Sequence, residues 1–160
     1  MKNILTVICL FLYLIAFSQK NYSKIKSSKI NQARLEMSKK FINEFLSRCE
    51  KNDFAEFNQF KISKKLEKHI YNDVPKRCVN FPNTFGKLKV LGLNSAYLSK
   101  KTKNYDPLDL YIFDIESEKV PSIKFISVWM YHDQNIIDGI RLSREKPWEK
   151  SKNKKKEPAL

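Results

Sequence analysis

The longest periodic pattern in the chain lies between Lys29 and Cys49. Apolar residues recur there at intervals of three and four positions, with polar or charged residues between them. This spacing places the apolar side chains on one face of a helix of about five turns, which Ser28 or Asn31 can cap. The apolar face is wide and aromatic, so the helix needs a sheet or several helices to pack against. Its apolar positions are Ile30, Ala33, Met37, Phe41, Ile42, Phe45, Leu46 and Cys49.

Short runs of β-branched and aromatic residues fill the second half of the chain, separated by turn-forming residues. Three of them lie at 109–115, 123–131 and 135–142. This pattern is typical of consecutive antiparallel strands. An alternating run at 87–91 predicts an earlier strand. Residues 93–98 either continue it after a bend at Gly92 or pair with it through a turn at Asn94 and Ser95.

Two short helices are predicted between the long helix and the strands. Asp53, followed three residues later by Glu56, resembles a capping box and predicts a helix that carries Phe54, Phe57 and Phe60. Ser63 can cap the next, and a proline-containing linker at 72–86 follows. Helices first and strands afterwards predict an α+β fold, with a long N-terminal helix and two short helices packed on a curved antiparallel sheet of four to five strands.

The first eighteen residues have the three parts of a secretory signal peptide. A basic start precedes an uncharged apolar run from Ile4 to Phe17, and small residues precede a cleavage point near Ser18. The run is shorter than the roughly 20 residues of a membrane-spanning helix. We expect a periplasmic or secreted protein, and an uncleaved anchor is the alternative. The predicted organisation is a signal peptide at 1–18, a flexible lead-in at 19–28, one α+β domain at 29–144 and a basic disordered tail at 145–160.

Removal of the signal peptide would leave two cysteines, Cys49 and Cys78. Oxidising compartments permit a disulfide between them, and closing the loop that separates them would stabilise the fold by about 3 kcal/mol. The alternative is two buried free thiols.

The chain is strongly basic, with a formal net charge of +14, and most of its 31 basic residues are lysine. Arginine is the residue that makes bidentate contacts with nucleic acids, so the lysine excess and the expected export predict no nucleic-acid partner. The lysine-rich tail predicts a weak contact with an anionic surface.

No catalytic motif stands out. The three glycines form no phosphate-binding loop, and His69 and His132 are too far apart in sequence for a metal-ligand pair. We therefore expect no metal and no cofactor. Asp114, His132 and Asp133 are the candidates for acid–base chemistry, although 132–135 is first of all typical of a turn.

The strand at 123–131 is apolar on both faces, with Phe125, Trp129 and Tyr131 on one of them. A half-solvated sheet would have one polar face, so something is expected to cover the second one. We favour a homodimer over the alternative, which is coverage by the linker at 72–86. The candidates for the walls of a ligand pocket are Tyr97, Tyr111, Trp129 and Tyr131, which could also be ordinary core aromatics.

Three stretches resemble the nuclear transport factor 2-like (cystatin-like cone) superfamily, in particular its small exported bacterial members. They are Phe41–Leu46 with Asn52–Phe54, Phe85–Leu88, and the pair 125–131 and 135–142. The resemblance covers about 29–142. It implies a six-element cone with an apolar pocket, frequent dimers and, in some enzymes, a pocket Asp or His with Tyr. No such catalytic set can be matched here. We therefore expect a non-catalytic module that binds a small apolar or amphipathic ligand or an envelope protein, with a small periplasmic enzyme as the alternative.

Overall fold

The computed structural model of the protein describes residues 22–101 and 106–147. The predicted signal peptide and most of the predicted tail lie outside the described residues. The α+β class is confirmed. The elements are β1 (Tyr22–Lys24), a 3-10 turn (Ser27–Lys29), α1 (Gln32–Lys51), β2 (Lys61–Ile62), α2 (Lys64–Asn72), α3 (Val74–Cys78), α4 (Phe81–Phe85), β3 (Leu88–Ser99), β4 (Leu108–Ser117), β5 (Phe125–Tyr131) and β6 (Ile136–Ser143).

The strands form one six-stranded sheet in the order β1-β3-β4-β5-β6-β2. Among the described strands, the β2–β6 pair is parallel and the other four pairs are antiparallel. The predicted strands correspond to β3, β4, β5 and β6, and the sheet also contains the edge strands β1 and β2, which are too short to show a period in the sequence. Residues 88–99 form a single strand with register shifts at 90–92 and 93–95, and such bulges bend a strand.

The long helix α1 packs on one face of the sheet, which we call the inner face. Asn31 caps it, because its side chain accepts a hydrogen bond from the backbone N–H of Arg34 at 3.2 Å. Burial of its apolar face against the sheet holds the two layers together. The core that they share includes Phe41, Ile42 and Phe45 from α1, Tyr111, Phe113 and Ile115 from β4, and Ile126, Val128 and Met130 from β5.

The helix predicted from Asp53 to Phe60 does not form. Side chains form hydrogen bonds with the backbone groups of this segment instead. Arg48 donates to the carbonyls of Ala55 and Glu56, and Phe57 N–H donates to the Tyr71 hydroxyl at 3.1 Å. The Asp53 carboxylate accepts from Ala55 N–H in a local turn. The segment still contributes to the core, because the Phe57 ring packs against the Phe41 ring with their centroids 5.4 Å apart.

The linker at 72–86 contains the short helices α3 and α4. Its apolar residues join the core on the inner side of the sheet: Val74, Cys78, Phe81 and Phe85. The alternative to a homodimer required this linker to cover the outer face of the sheet, and it does not. Part of the lead-in expected to be flexible is paired instead, because β1 runs antiparallel to β3. Within the described ranges, no helix is long and apolar enough to cross a membrane.

Candidate functional site

A cavity of about 600 Å³ opens where β1, the start of α1, β4 and the turn between β5 and β6 meet. The pairing of Ser23 with Leu98 fixes β1 beside β3, and Ile25 N–H donates to the Ala96 carbonyl at 2.9 Å. The chain then crosses to α1 through the 3-10 turn, which closes this side. The wall combines apolar residues (Ile25, Leu98, Tyr111), basic residues (Lys24, Lys26, Lys29, Arg34) and polar residues (Ser23, Asn31, Asp109, His132).

A buried ion pair lies at the base of the cavity. Arg34, in the first turn of α1, is 6% exposed, and Asp109, in β4, is 3% exposed. The Arg34 guanidinium donates to one Asp109 carboxylate oxygen and to the backbone carbonyls of Tyr131, His132 and Gln134. One side chain thus joins α1 to β4 and to the turn that follows β5. Because both charges are buried, each depends on the other for compensation.

His132 binds the second oxygen of the same carboxylate. Its Nδ1 lies 2.7 Å from Asp109 Oδ1, and its side chain is 42% exposed. An ionised carboxylate only accepts hydrogen bonds, so Nδ1 carries the proton and donates it. This leaves Nε2 as the ring nitrogen that can meet a ligand. The backbone N–H of His132 donates to the Pro107 carbonyl at 2.9 Å, which fixes the residue in the turn.

Tyr111 follows Asp109 at the next inner-face position of β4. It is 1% exposed. Burial raises the pKa of the Tyr111 phenol from 10.0 to about 12; the Asp109 carboxylate adds to this increase and Arg34 opposes it. The phenol therefore keeps its proton at neutral pH and can donate a hydrogen bond at the cavity wall.

The structure does not bring the four predicted pocket residues together. Tyr111 pairs with Ala96 and Val128 of the inner face, whereas Tyr97 and Trp129 both pair with Leu110. Because side chains alternate along a strand, Tyr97, Trp129 and Tyr131 lie on the outer face of the sheet. Of the four, only Tyr111 lines the cavity. The outer-face aromatics make their own contacts, such as the hydrogen bond from Trp129 Nε1 to the Tyr22 hydroxyl at 3.3 Å.

Of the three predicted acid–base candidates, His132 alone lines the cavity. Asp114 instead accepts from the Asn94 side chain at 3.1 Å, and Asp133 is exposed in the turn. Sequence reasoning missed Arg34 and Asp109. The sequence does contain one signal for this pair. Asp109 lies two residues before Tyr111 on an alternating strand, so both face the core, and a buried carboxylate requires a cation beside it.

A disulfide joins Cys49, near the end of α1, to Cys78 in α3, with their Cα atoms 5.0 Å apart. Both cysteines are fully buried. Fifteen positions of α1 separate Cys49 from Arg34, which corresponds to roughly 22 Å along the helix, so the bridge lies away from the cavity. Among the described residues, no group of His, Cys, Asp and Glu could hold a metal ion.

Neither a family model, nor a curated protein, nor a solved structure matches this chain. The resemblance to the nuclear transport factor 2-like superfamily therefore stays a prediction.

Proposed function

We propose that the protein is an exported, non-catalytic module that binds a small amphipathic ligand in the cavity between β1, α1 and β4. The observation that carries the proposal is the cavity of about 600 Å³. Its volume falls in the usual range for small-molecule sites, which combine an apolar wall with a few placed polar groups. Here Ile25, Leu98 and Tyr111 supply the apolar contact, and His132 and the lysines supply the polar groups.

The polar groups of the cavity are fixed before any ligand arrives. Arg34 orients the Asp109 carboxylate, and the carboxylate orients the His132 ring. Side chains already held by hydrogen bonds lose little entropy on binding, which favours affinity. A purely apolar ligand would leave His132 Nε2 and the lysine ammonium groups without a partner in the bound state, so the cavity favours an amphipathic ligand over a purely apolar one.

Fluorescence of N-phenyl-1-naphthylamine, a neutral probe whose one polar group is a secondary amine, tests the proposal. The purified protein should enhance its emission in a saturable way. Leu98→Trp places a bulkier side chain on the apolar wall and should weaken binding at least about tenfold, which corresponds to 1.4 kcal/mol. Leu91→Trp, at an exposed position of the same strand, is the matched control and should bind as the unchanged protein does. Absence of binding, or equal binding by both variants, would contradict the proposal.

The Asp109–His132 pair favours a second candidate function, that of a small periplasmic enzyme. A histidine held by a carboxylate, with its other nitrogen available, has the arrangement of a general base. A substrate screen of esters and enolisable acids tests this function. Turnover that His132→Gln removes while probe binding persists would support it, and absence of turnover across the screen would count against it.

A further inference from the structure

The basic residues of the cavity are not balanced by acidic ones. Lys24, Lys26 and Lys29 all border it, but the pairing of Lys24 with Tyr97 directs the Lys24 side chain to the outer face. Asp109 is the one acidic residue among the described residues that line the cavity. Arg34 already neutralises that carboxylate. Within the described part of the chain, no ion pair involves the three lysines. The mouth of the cavity therefore carries an uncompensated positive charge.

The fold holds these lysines on one short, ordered segment. Lys24 ends β1, and Lys29 N–H donates to the Lys26 carbonyl at 2.8 Å in the 3-10 turn. The start of α1 follows, with Asn31 and Arg34 also in the cavity wall. The dipole of a 20-residue helix adds positive potential at its N-terminus. Like charges brought together at one opening repel each other, and a bound anion would relieve this repulsion.

Part of the cavity wall is apolar. Leu98 in β3, Tyr111 in β4 and Ile25 after β1 are half-buried or buried. Tyr111 stays protonated at neutral pH, so it brings no negative charge into the cavity. The cavity thus has a cationic mouth and an apolar wall, which is an arrangement complementary to an amphipathic anion.

We propose that the ligand is a small amphipathic anion whose carboxylate, sulfonate or phosphate group lies beside Lys26 and Lys29. Its apolar part packs against Ile25, Leu98 and Tyr111. This inference rests on the proposed function, because it names the ligand class of the same cavity. It also assigns a role to the lysines of the lead-in, which the overall basic composition alone does not explain.

Two probes with the same ring system separate charge from apolar contact. They are 8-anilino-1-naphthalenesulfonate and N-phenyl-1-naphthylamine, which lacks the sulfonate. At low salt the sulfonate should bind on the order of tenfold more tightly than the neutral probe, and added salt should reduce this preference. Lys26→Gln/Lys29→Gln should bring the ratio of the two affinities to about one. Both lysines are exposed, so the core of the variant is unchanged.

The matched control is Lys64→Gln/Lys68→Gln on α2, which removes the same charge from exposed positions outside the cavity. It should retain the preference for the sulfonate. Equal binding of the two probes, or an equal loss of preference in both double variants, would overturn the inference. The proposed function would survive either result as long as the neutral probe binds in the cavity. If neither probe binds, both proposals fail.

Discussion

At the scale of single residues, Arg34 is the side chain on which the site depends most. It compensates the buried Asp109 charge and donates to three carbonyls of the turn that carries His132. Removing one partner of a buried pair leaves the other charge uncompensated, which costs far more than the pair contributes as a whole.

Arg34→Met should therefore destabilise the protein by about 3–5 kcal/mol, because Asp109 loses its counter-charge and the turn loses its donors. Urea unfolding followed by circular dichroism measures this change. Lys39→Met, at an exposed position of the same helix, is the control and should change the free energy of unfolding by less than about 0.5 kcal/mol. A loss below about 1 kcal/mol for Arg34→Met would mean that the pair is not buried as described.

Tyr111 makes stability depend on pH on the alkaline side. The folded state raises the pKa of its phenol from 10.0 to about 12, chiefly through burial. Below pH 10 the phenol is protonated in both states, so it does not affect the pH dependence. Above pH 10 the unfolded chain releases this proton first, and stability is lost as the pH rises towards 12.

Tyr111→Phe should remove this alkaline loss. Urea unfolding at pH 8, 9, 10 and 11 would show the advantage of the unchanged protein over the variant shrinking above pH 10. A difference that stays constant from pH 8 to pH 11 would contradict the assigned shift.

The sequence indicates some residues of the site and not others. His132 could be proposed because histidine is a residue type suited to acid–base chemistry, although its position is first of all typical of a turn. Arg34 and Asp109 are 75 positions apart, and no local pattern pairs them. Arg34 fits the polar spacing of an amphipathic helix, so its burial becomes visible only when α1 is packed against β4.

At the scale of elements, the length of the pattern separates the helix that was predicted correctly from the one that does not form. In α1, 20 residues with a sustained period identify the helix and most of its buried face, although Ala33 is exposed and Arg34 is buried. The helix predicted over 54–60 had one turn of periodicity and a capping motif, and the Arg48 donors and the Tyr71 hydroxyl acceptor outweighed that preference. The edge strands β1 and β2 depend on long-range pairing with β3 and β6, so the sequence gives no local signal for them.

The disulfide connects two elements, α1 and α3, across 29 positions. Constraining a loop of that length in the unfolded chain should stabilise the protein by about 3 kcal/mol. Urea unfolding with and without reductant would measure this contribution. The double variant Cys49→Ala/Cys78→Ala should be less stable and insensitive to reductant. If reductant leaves the stability of the unchanged protein as it was, the bridge contributes nothing.

At the scale of the whole molecule, the outer face of the sheet carries apolar side chains among polar ones such as Arg141. Leu110 and Ile112 are fully buried on this face, and Phe125, Trp129 and Tyr131 are half-buried. Gly139 makes room for the Trp129 ring, because a Cβ at that position would lie 3.3 Å from Trp129 Cε3. The linker packs on the other side, so we propose that a second copy of the chain covers this face.

Sedimentation velocity at tens of micromolar protein should therefore show a dimer, because pairing of the two outer faces buries their aromatic residues. Trp129→Glu should convert it to a monomer, since a carboxylate at the centre of an apolar interface is costly to bury. Val79→Glu, at an exposed position at the end of α3, is the control and should leave the dimer intact. A monomeric unchanged protein would contradict the proposal.

The most direct test of the central claim is a titration of the ¹⁵N-labelled protein with 8-anilino-1-naphthalenesulfonate, followed by two-dimensional ¹H–¹⁵N NMR. The account predicts saturable shifts concentrated at Ile25, Leu98, Asp109 and Tyr111, with smaller shifts elsewhere. Shifts concentrated on the outer face around Trp129, or no saturable shifts at all, would contradict the claim that this cavity is a binding site.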